Sequence, residues 1–272
     1  MIGAWARRCL EQNDRPLGLG LGLGLGLGLG PGRGPLLAVA GELTVFGESR
    51  AYEVARHRHP VWKAVLPLRG GVRVNGSVGA GVLVPPQYAH TCATSTGFVA
   101  VFLDPWCLRA DRSGPTWLDA RGVRRLVEAL GECGAADGFG PGALCCELAA
   151  LAGPPAPVDP RVLHAVRGGP GALRLTEVAA EIGLSPTRLR ALVRAEVGVP
   201  LGVLRRWRRL RTAVGALVDG GGVIADVAAA AGFSDQAHLT RTARTLVGRT
   251  PASLRPPRAG RGTEAVPPAA AG

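Results

Sequence analysis

One pattern occurs twice in the C-terminal half, and it constrains the fold more than any other feature. The first copy runs from Leu175 through Gly183-Leu184-Ser185 to Leu189, and the second from Val223 through Gly232-Phe233-Ser234 to Leu239. Each reads as a short helix, a glycine, one apolar residue, a serine and a second helix. Leu175, Val178, Ala179 and Ile182 form one apolar stripe, and Ile224, Val227, Ala228 and Ala231 form its counterpart. Gly183 and Gly232 supply the sharp turn, because glycine enters the left-handed region without a Cβ clash. Ser185 and Ser234, 49 residues apart, are expected to cap the helices that follow, and Pro186 suits a first helical position. This is the layout of a helix-turn-helix, so the repeat implies two DNA-reading units.

Helical periodicity then separates the faces of each second helix. In the first, Leu189, Leu192 and Val193 point inward, which leaves Thr187, Arg190, Ala191 and Arg194 outward. In the second, Leu239, Ala243 and Leu246 point inward. Ala237, Arg241 and Arg244 face out, flanked by His238 and Thr240, with Gln236 in the first turn, the part that enters a groove. Between the units the spacing of Val203, Trp207, Leu210, Val214 and Leu217 predicts one long helix over Leu201 to Val218, roughly 27 Å in length. Its Arg205, Arg206, Arg208, Arg209 and Arg211 read either as a solvated face or as phosphate contacts. Charge supports a polyanionic partner. Residues 1–160 hold 15 basic and 13 acidic side chains, whereas residues 161–262 hold 17 arginines and six acidic groups.

The run Ala228-Ala229-Ala230-Ala231-Gly232-Phe233-Ser234-Asp235-Gln236-Ala237-His238-Leu239-Thr240-Arg241, with Val247-Gly248-Arg249-Thr250-Pro251 after it, resembles the signature of the AraC/XylS family of bacterial transcription regulators. The resemblance covers about residues 158–255. It implies two helix-turn-helix units joined by one helix, and regulation, usually activation, of transcription. It also implies base contacts at Thr187, Arg190 and Ala191 in the first unit and at Gln236, Ala237 and Arg241 in the second. The chain departs from the family at Ala243, where an aromatic is usual, and at Thr245, where a basic residue is usual.

The N-terminal half reads differently. Leu43–Phe46, Trp62–Leu68, Val72–Val74, Gly81–Val84 and Phe98–Leu103 are short apolar runs between turn residues, and Asn75-Gly76 is a strong hairpin signal. This spacing suggests a small barrel or sandwich. Two amphipathic helices follow, carried by Val123, Leu126, Val127 and Leu130 and by Leu144, Leu148, Leu151 and Ala152, placed to cover the barrel or to pair with a second subunit. The whole resembles the cupin-type sensor domain of many AraC/XylS proteins. His57, His59 and His90 match part of a cupin metal set. The acidic ligand expected soon after His59 is missing, since the next acidic residue is Asp104. The expectation is therefore no metal and no cofactor, with these three histidines hydrogen-bonding a small effector. A metal-dependent cupin enzyme fused to a DNA-binding domain is the alternative; no catalytic residue is otherwise evident.

The expected fold class is α+β: an N-terminal cupin-like β-barrel with two amphipathic helices, then an all-α domain of two helix-turn-helix units joined by a long helix. Residues 1–35, with their Leu-Gly alternation, read as a low-complexity, disordered tail and 36–152 as the sensor or dimerisation domain. Residues 153–158 read as a Pro-rich linker, 159–255 as the DNA-binding domain, opened by Asp159-Pro160, and 256–272 as a second disordered tail. The six cysteines (9, 92, 107, 133, 145 and 146) lack a framework spacing and read as thiols of a reducing compartment, with Cys145 and Cys146 both buried and inert. No run of apolar residues is long enough for a membrane helix. The expected partners are double-stranded DNA, RNA polymerase, a small effector and a second copy in a homodimer. The expected location is the cytoplasm, with the nucleoid.

Overall fold

The structure, a computed structural model, describes residues 35–108, 113–132, 142–153, 157–167, 174–220 and 222–256. Residues 1–34 and 257–272 of the expected tails, residues 154–156 of the expected linker, and Cys9 and Cys133 lie outside these.

Ten strands come first: β1 (Leu36–Ala40), β2 (Leu43–Glu48), β3 (Tyr52–His57), β4 (Trp62–Pro67), β5 (Val72–Val74), β6 (Ser77–Gly79), β7 (Gly81–Val84), β8 (His90–Thr94), β9 (Phe98–Leu103) and β10 (Thr116–Leu118). They form a six-stranded sheet in the order β1-β2-β9-β4-β7-β10 and a four-stranded sheet in the order β3-β8-β5-β6. All pairings are antiparallel. Asn75 (φ 48°) and Gly76 (φ 90°) make the β5–β6 hairpin turn, and Asn75 Oδ1 also accepts from Thr91 N at 2.9 Å. The sequence reading missed β1, β3, β6, β8 and β10. Tyr52-Glu53-Val54-Ala55-Arg56-His57 and His90-Thr91-Cys92-Ala93-Thr94 lack an apolar run, and pairing with each other makes them strands.

Every residue of β2, β4 and β9 is buried, because the six-stranded sheet is covered on both faces. Phe46, Val65, Val82, Ala100 and Phe102 share a core with Val54, Val72, Val74 and Cys92 of the small sheet. On the opposite face, Val45, Ala64, Leu66, Leu83, Val99 and Val101 share a core with helices α1 (Ala120–Glu132) and α2 (Gly142–Ala152) through Leu126, Leu130, Leu144 and Leu148. The two amphipathic helices thus cover a sheet face. Cys145 is buried but Cys146 is exposed, since successive helical residues point about 100° apart; the expectation that both are buried fails for Cys146.

The remaining helices are α3 (Pro160–Arg167), α4 (Leu175–Glu181), α5 (Pro186–Val197), α6 (Leu201–Val218), α7 (Ile224–Ala230) and α8 (Gln236–Val247). The bounds of α6 are those that the sequence periodicity predicts. Asp159 Oδ1 accepts from Arg161 N at 2.9 Å and starts α3 with Pro160 behind it. These helices share cores with the strands. Val162, Ala165, Leu189 and Val193 join the α1–α2 side, and Trp207, Leu210, Val214, Leu239 and Leu246 join the other. Among the described residues, no helix is long and apolar enough to cross a membrane.

Two glycines separate backbone strain from helix propensity. Gly183 has φ 68°, and a Cβ added there would meet no atom within 4 Å, while Gly202 is a helical residue of α6 with equally open surroundings. Gly183→Ala should lower stability by about 1–2 kcal/mol, and Gly202→Ala should raise it by about 0.5–1 kcal/mol. Urea unfolding of the two variants, with opposite signs expected, checks both.

Candidate nucleic-acid interface and effector site

The two helix-turn-helix units are built by the same backbone device. In the first, Gly183 N bonds to Ala180 O at 3.0 Å and Leu184 N to Ala179 O at 2.8 Å; in the second, Gly232 N bonds to Ala229 O and Phe233 N to Ala228 O, each at 2.9 Å. Gly232 has φ 77°. Ser185 caps α5 as expected, with Oγ accepting from Arg188 N at 3.2 Å.

The second cap differs from the expectation. Asp235 caps α8, with Oδ1 accepting from His238 N at 2.6 Å, while Ser234 Oγ donates to Asp235 Oδ2 at 3.3 Å and lies 3.1 Å from His238 Nδ1. A carboxylate accepts more strongly than a hydroxyl. The backbone N–H of His238 holds the Asp235 carboxyl below its usual range. The helix therefore starts one residue later after its glycine than α5 does.

Leu189 and Val193 of α5, and Leu239, Ala243 and Leu246 of α8, are buried, and Leu192 is half-buried. Thr242 is also buried, which periodicity did not single out. On the other side Thr187, Arg190, Ala191, Arg194, Gln236, Ala237, Arg241 and Arg244 are exposed. His238 and Thr240 are half-buried, and the His238 ring packs edge-on against Phe233 at 5.2 Å. Ala243 is fully buried without the aromatic usual in the resembled family, and Thr245 Oγ1 donates to Arg241 O at 2.8 Å. Among the described residues, no ion pair engages Arg190, Arg194, Arg241 or Arg244.

The arginines of α6 behave differently, and neither reading of that run holds for all of it. Arg208 Nη1 donates to Val166 O at 2.9 Å, and its Nη2 lies 3.9 Å from Asp104 Oδ2. Arg209 Nη1 donates to Gly232 O at 3.1 Å, bracing the second turn. Arg211 Nη1 donates to Gly41 O at 3.2 Å, at the β1–β2 turn. Arg206, exposed, folds back on Gly202 O. Further bonds tie the C-terminal helices to the strands: Arg249–Glu48 at 2.5 Å, Arg167–Glu42 at 2.6 Å, and Arg58 N to Thr245 O at 3.1 Å. No sequence signal links Arg249 to Glu48, because pattern reading is local and the partners are 201 residues apart.

The three histidines meet inside the strand domain. His57 closes β3 and pairs in register with His90, the first residue of β8, with a bulge between Val54 and His57. His59 follows the end of β3, so the cluster is gathered from two paired strands and the segment after one of them. Exposure is 3% for His57 and 0% for His59 and His90. Ring centroids are 4.3 Å apart for His57–His90 and 5.0 Å for His59–His90. Each Nδ1 faces a backbone carbonyl: Ala55 O at 2.9 Å, Val61 O at 2.6 Å and Tyr88 O at 3.0 Å. All three Nε2 atoms are buried without a hydrogen-bond partner. Burial, aided by the charge of Lys63, brings His57 down to about 3 and His90 down to about 4, and burial holds His59 well below its usual range.

A cavity of about 60 Å³ lies between the six-stranded sheet and α6 and α8, and none of the three histidines lines it. Phe98, Phe102, Trp207 and Leu210 line it, with the cations of Lys63, Arg211 and Arg249. Lys63, the single lysine, is only 4% exposed, and burial lowers its pKa. The sequence reading did not single it out, since a lysine inside a strand reads as surface.

Residues 178–256 match the family model described as a helix-turn-helix domain. Among curated proteins no sequence matches the chain. Similar solved structures include ToxT from Vibrio cholerae bound to an unsaturated fatty acid (11% identical, covering 77% of this chain and 92% of that one, TM-score 0.45). They also include the AraC-like transcriptional activator CuxR (16%, 69% and 81%, TM-score 0.35). An RmlC-like cupin from Shewanella frigidimarina is similar over a shorter stretch (22%, 27% and 78%, TM-score 0.22). All three are distant likenesses.

The clamp between α6 and the strands makes stability depend on pH. Asp104 is 2% exposed, and burial raises its pKa to about 6 against the opposing charges of Arg211 and Arg208. A pKa raised by folding contributes stability below the unfolded value of 3.8, and that contribution is lost as pH rises through about 6. Asp104→Asn, which cannot ionise, should therefore gain on the wild type by about 1–3 kcal/mol between pH 4 and pH 7.5, read from urea unfolding at the two pH values.

Proposed function

We propose, from the helix-turn-helix domain matched over residues 178–256, that this chain is a sequence-specific DNA-binding transcription regulator of the AraC type. Its two units read adjacent major grooves, with α5 and α8 as the reading helices. The carrying observation is the partition of arginines. Those of α5 and α8 stand exposed and, among the described residues, in no ion pair, while Arg208, Arg209 and Arg211 of α6 hold the protein together.

In this reading Arg190 and Arg241 clasp guanine edges, Gln236 reads adenine, and Ala191 and Ala237 offer methyl contact only. Thr187, Arg194, Thr240 and Arg244 lie on the faces turned to the duplex. His238, held by Ser234 and packed on Phe233, orients the start of α8 more than it reads bases. The effector residues of this reading are His57, His59 and His90, in the domain that α6 and α8 grip. Activation through RNA polymerase is the mode we assign, with a homodimer doubling the grooves read and the nucleoid as its place of work.

DNA fragments retained from a random pool by the purified chain should share one motif. On that motif Arg241→Ala should cost about 1–3 kcal/mol, with a smaller loss on random DNA. Affinity should fall linearly with salt on logarithmic axes. A pool that emerges unenriched would sink the reading, and equal losses on both DNAs would make Arg241 a phosphate contact.

A further inference from the structure

We propose that Lys63 is a covalent binding site for a small apolar aldehyde, which it captures as an imine inside the cavity between the six-stranded sheet and α6. The site goes beyond the DNA-binding reading and does not rest on it.

Geometry carries the site. Lys63 pairs with Val84 of β7 on one side and Phe102 of β9 on the other, so it stands on an interior strand, and its side chain lines the cavity. An ammonium ion enclosed there calls for a carboxylate. No Asp or Glu lines the cavity, and among the described residues no ion pair engages Lys63. The amine instead faces aromatic rings, 5.9 Å from the centre of Tyr52 and 5.8 Å from that of Phe102. Burial lowers its pKa, against the pull of Cys92 and with the push of Arg249. Desolvation in an apolar pocket and a neighbouring cation are the two devices that turn a lysine into a carbonyl nucleophile, and both are present.

Composition points the same way. The chain has 32 Lys and Arg side chains, and all but Lys63 are arginine. A guanidinium stays protonated, whereas a lysine amine can give up its proton and form a Schiff base. The one amine side chain occupies the enclosed position.

The reaction balances without a redox partner. The Nζ lone pair attacks the carbonyl carbon, and the C–N bond forms as the carbonyl π bond breaks onto oxygen. Both amine hydrogens pass to that oxygen, which leaves as water, and a C=N bond remains.

The cavity selects the ligand. Its volume of about 60 Å³ admits only a few non-hydrogen atoms, and Phe98, Phe102, Trp207 and Leu210 demand an apolar body. Burial also raises the pKa of Tyr52, so its phenol stays neutral beside the amine. The two guanidiniums are already held by the protein, which argues against a simple anion site. Arg249 directs its donors to Glu48 and Ser253, and Arg211 Nη1 donates to Gly41 O.

The test exposes the full chain to propanal at neutral pH, quenches with borohydride and locates the added propyl group by peptide mass mapping. The α-amino group serves as the internal reference. Lys63 should be labelled at least about 10-fold faster in the native chain than in urea, where the side chain is solvated and protonated. Ala100→Leu, which fills the cavity from β9, should lose that advantage. The comparison of native and urea-unfolded chain needs only the wild type, so a variant that fails to fold does not spare the proposal. Slower labelling in the native chain would mean an amine that is merely buried, and overturns the site. Fast labelling that survives in folded Ala100→Leu places the reaction outside the cavity, and overturns it too. Propionate cannot form an imine; if it binds while propanal leaves no adduct, the cavity is a plain anion site and the proposal falls.

Discussion

Burial of both faces of the six-stranded sheet is the constraint on which the rest depends. A sheet with one polar face could stand alone beside a tethered helical domain. Here Phe46, Ala100 and Phe102 on one face and Val45, Val99 and Val101 on the other all need apolar cover. The small sheet and the α1–α2 pair supply much of it, and the helices of the C-terminal half join both cores, with Trp207 packed on Phe102 at 5.1 Å. The two halves thereby share their cores instead of meeting through a tether.

Arginine serves two purposes, and geometry separates them. A guanidinium half-buried beside carbonyls and carboxylates fixes one element against another, as Arg208, Arg211 and Arg249 do. One on the outer face of a short helix stays solvated and available to phosphate or base edges. Arg209 stands between these roles, since its bond to Gly232 O stiffens the turn on which the second reading helix depends. The excess of positive charge left free on the exposed faces of α5 and α8 is thus smaller than a residue count suggests.

The histidine cluster shows how a fold can hold polar atoms in a state they would not adopt alone. Nothing in the His57-Arg58-His59 segment orients its rings. The bulge in β3, the pairing with β8 and three local carbonyls do so, and burial keeps the imidazoles neutral. The same segment meets α8 through Arg58, so chemistry at the rings and docking at the helix share one stretch of backbone.

Both helix-turn-helix units, the long helix and the exposed faces of α5 and α8 are legible in the chain alone. Their signals are local: a glycine that alone tolerates positive φ, a capping side chain and a periodicity of 3.6 residues. The hairpin at Asn75-Gly76 and the apolar strands are legible for the same reason. Even there the sequence left one choice open, because Ser234 and Asp235 can each cap a helix and only the packed turn selects the carboxylate. Strands β3 and β8, the Asp104 and Glu48 clamps, buried Lys63 and the convergence of three imidazoles required the tertiary structure. Each depends on partners far apart in sequence, and no local propensity encodes which distant segment will cover a given face.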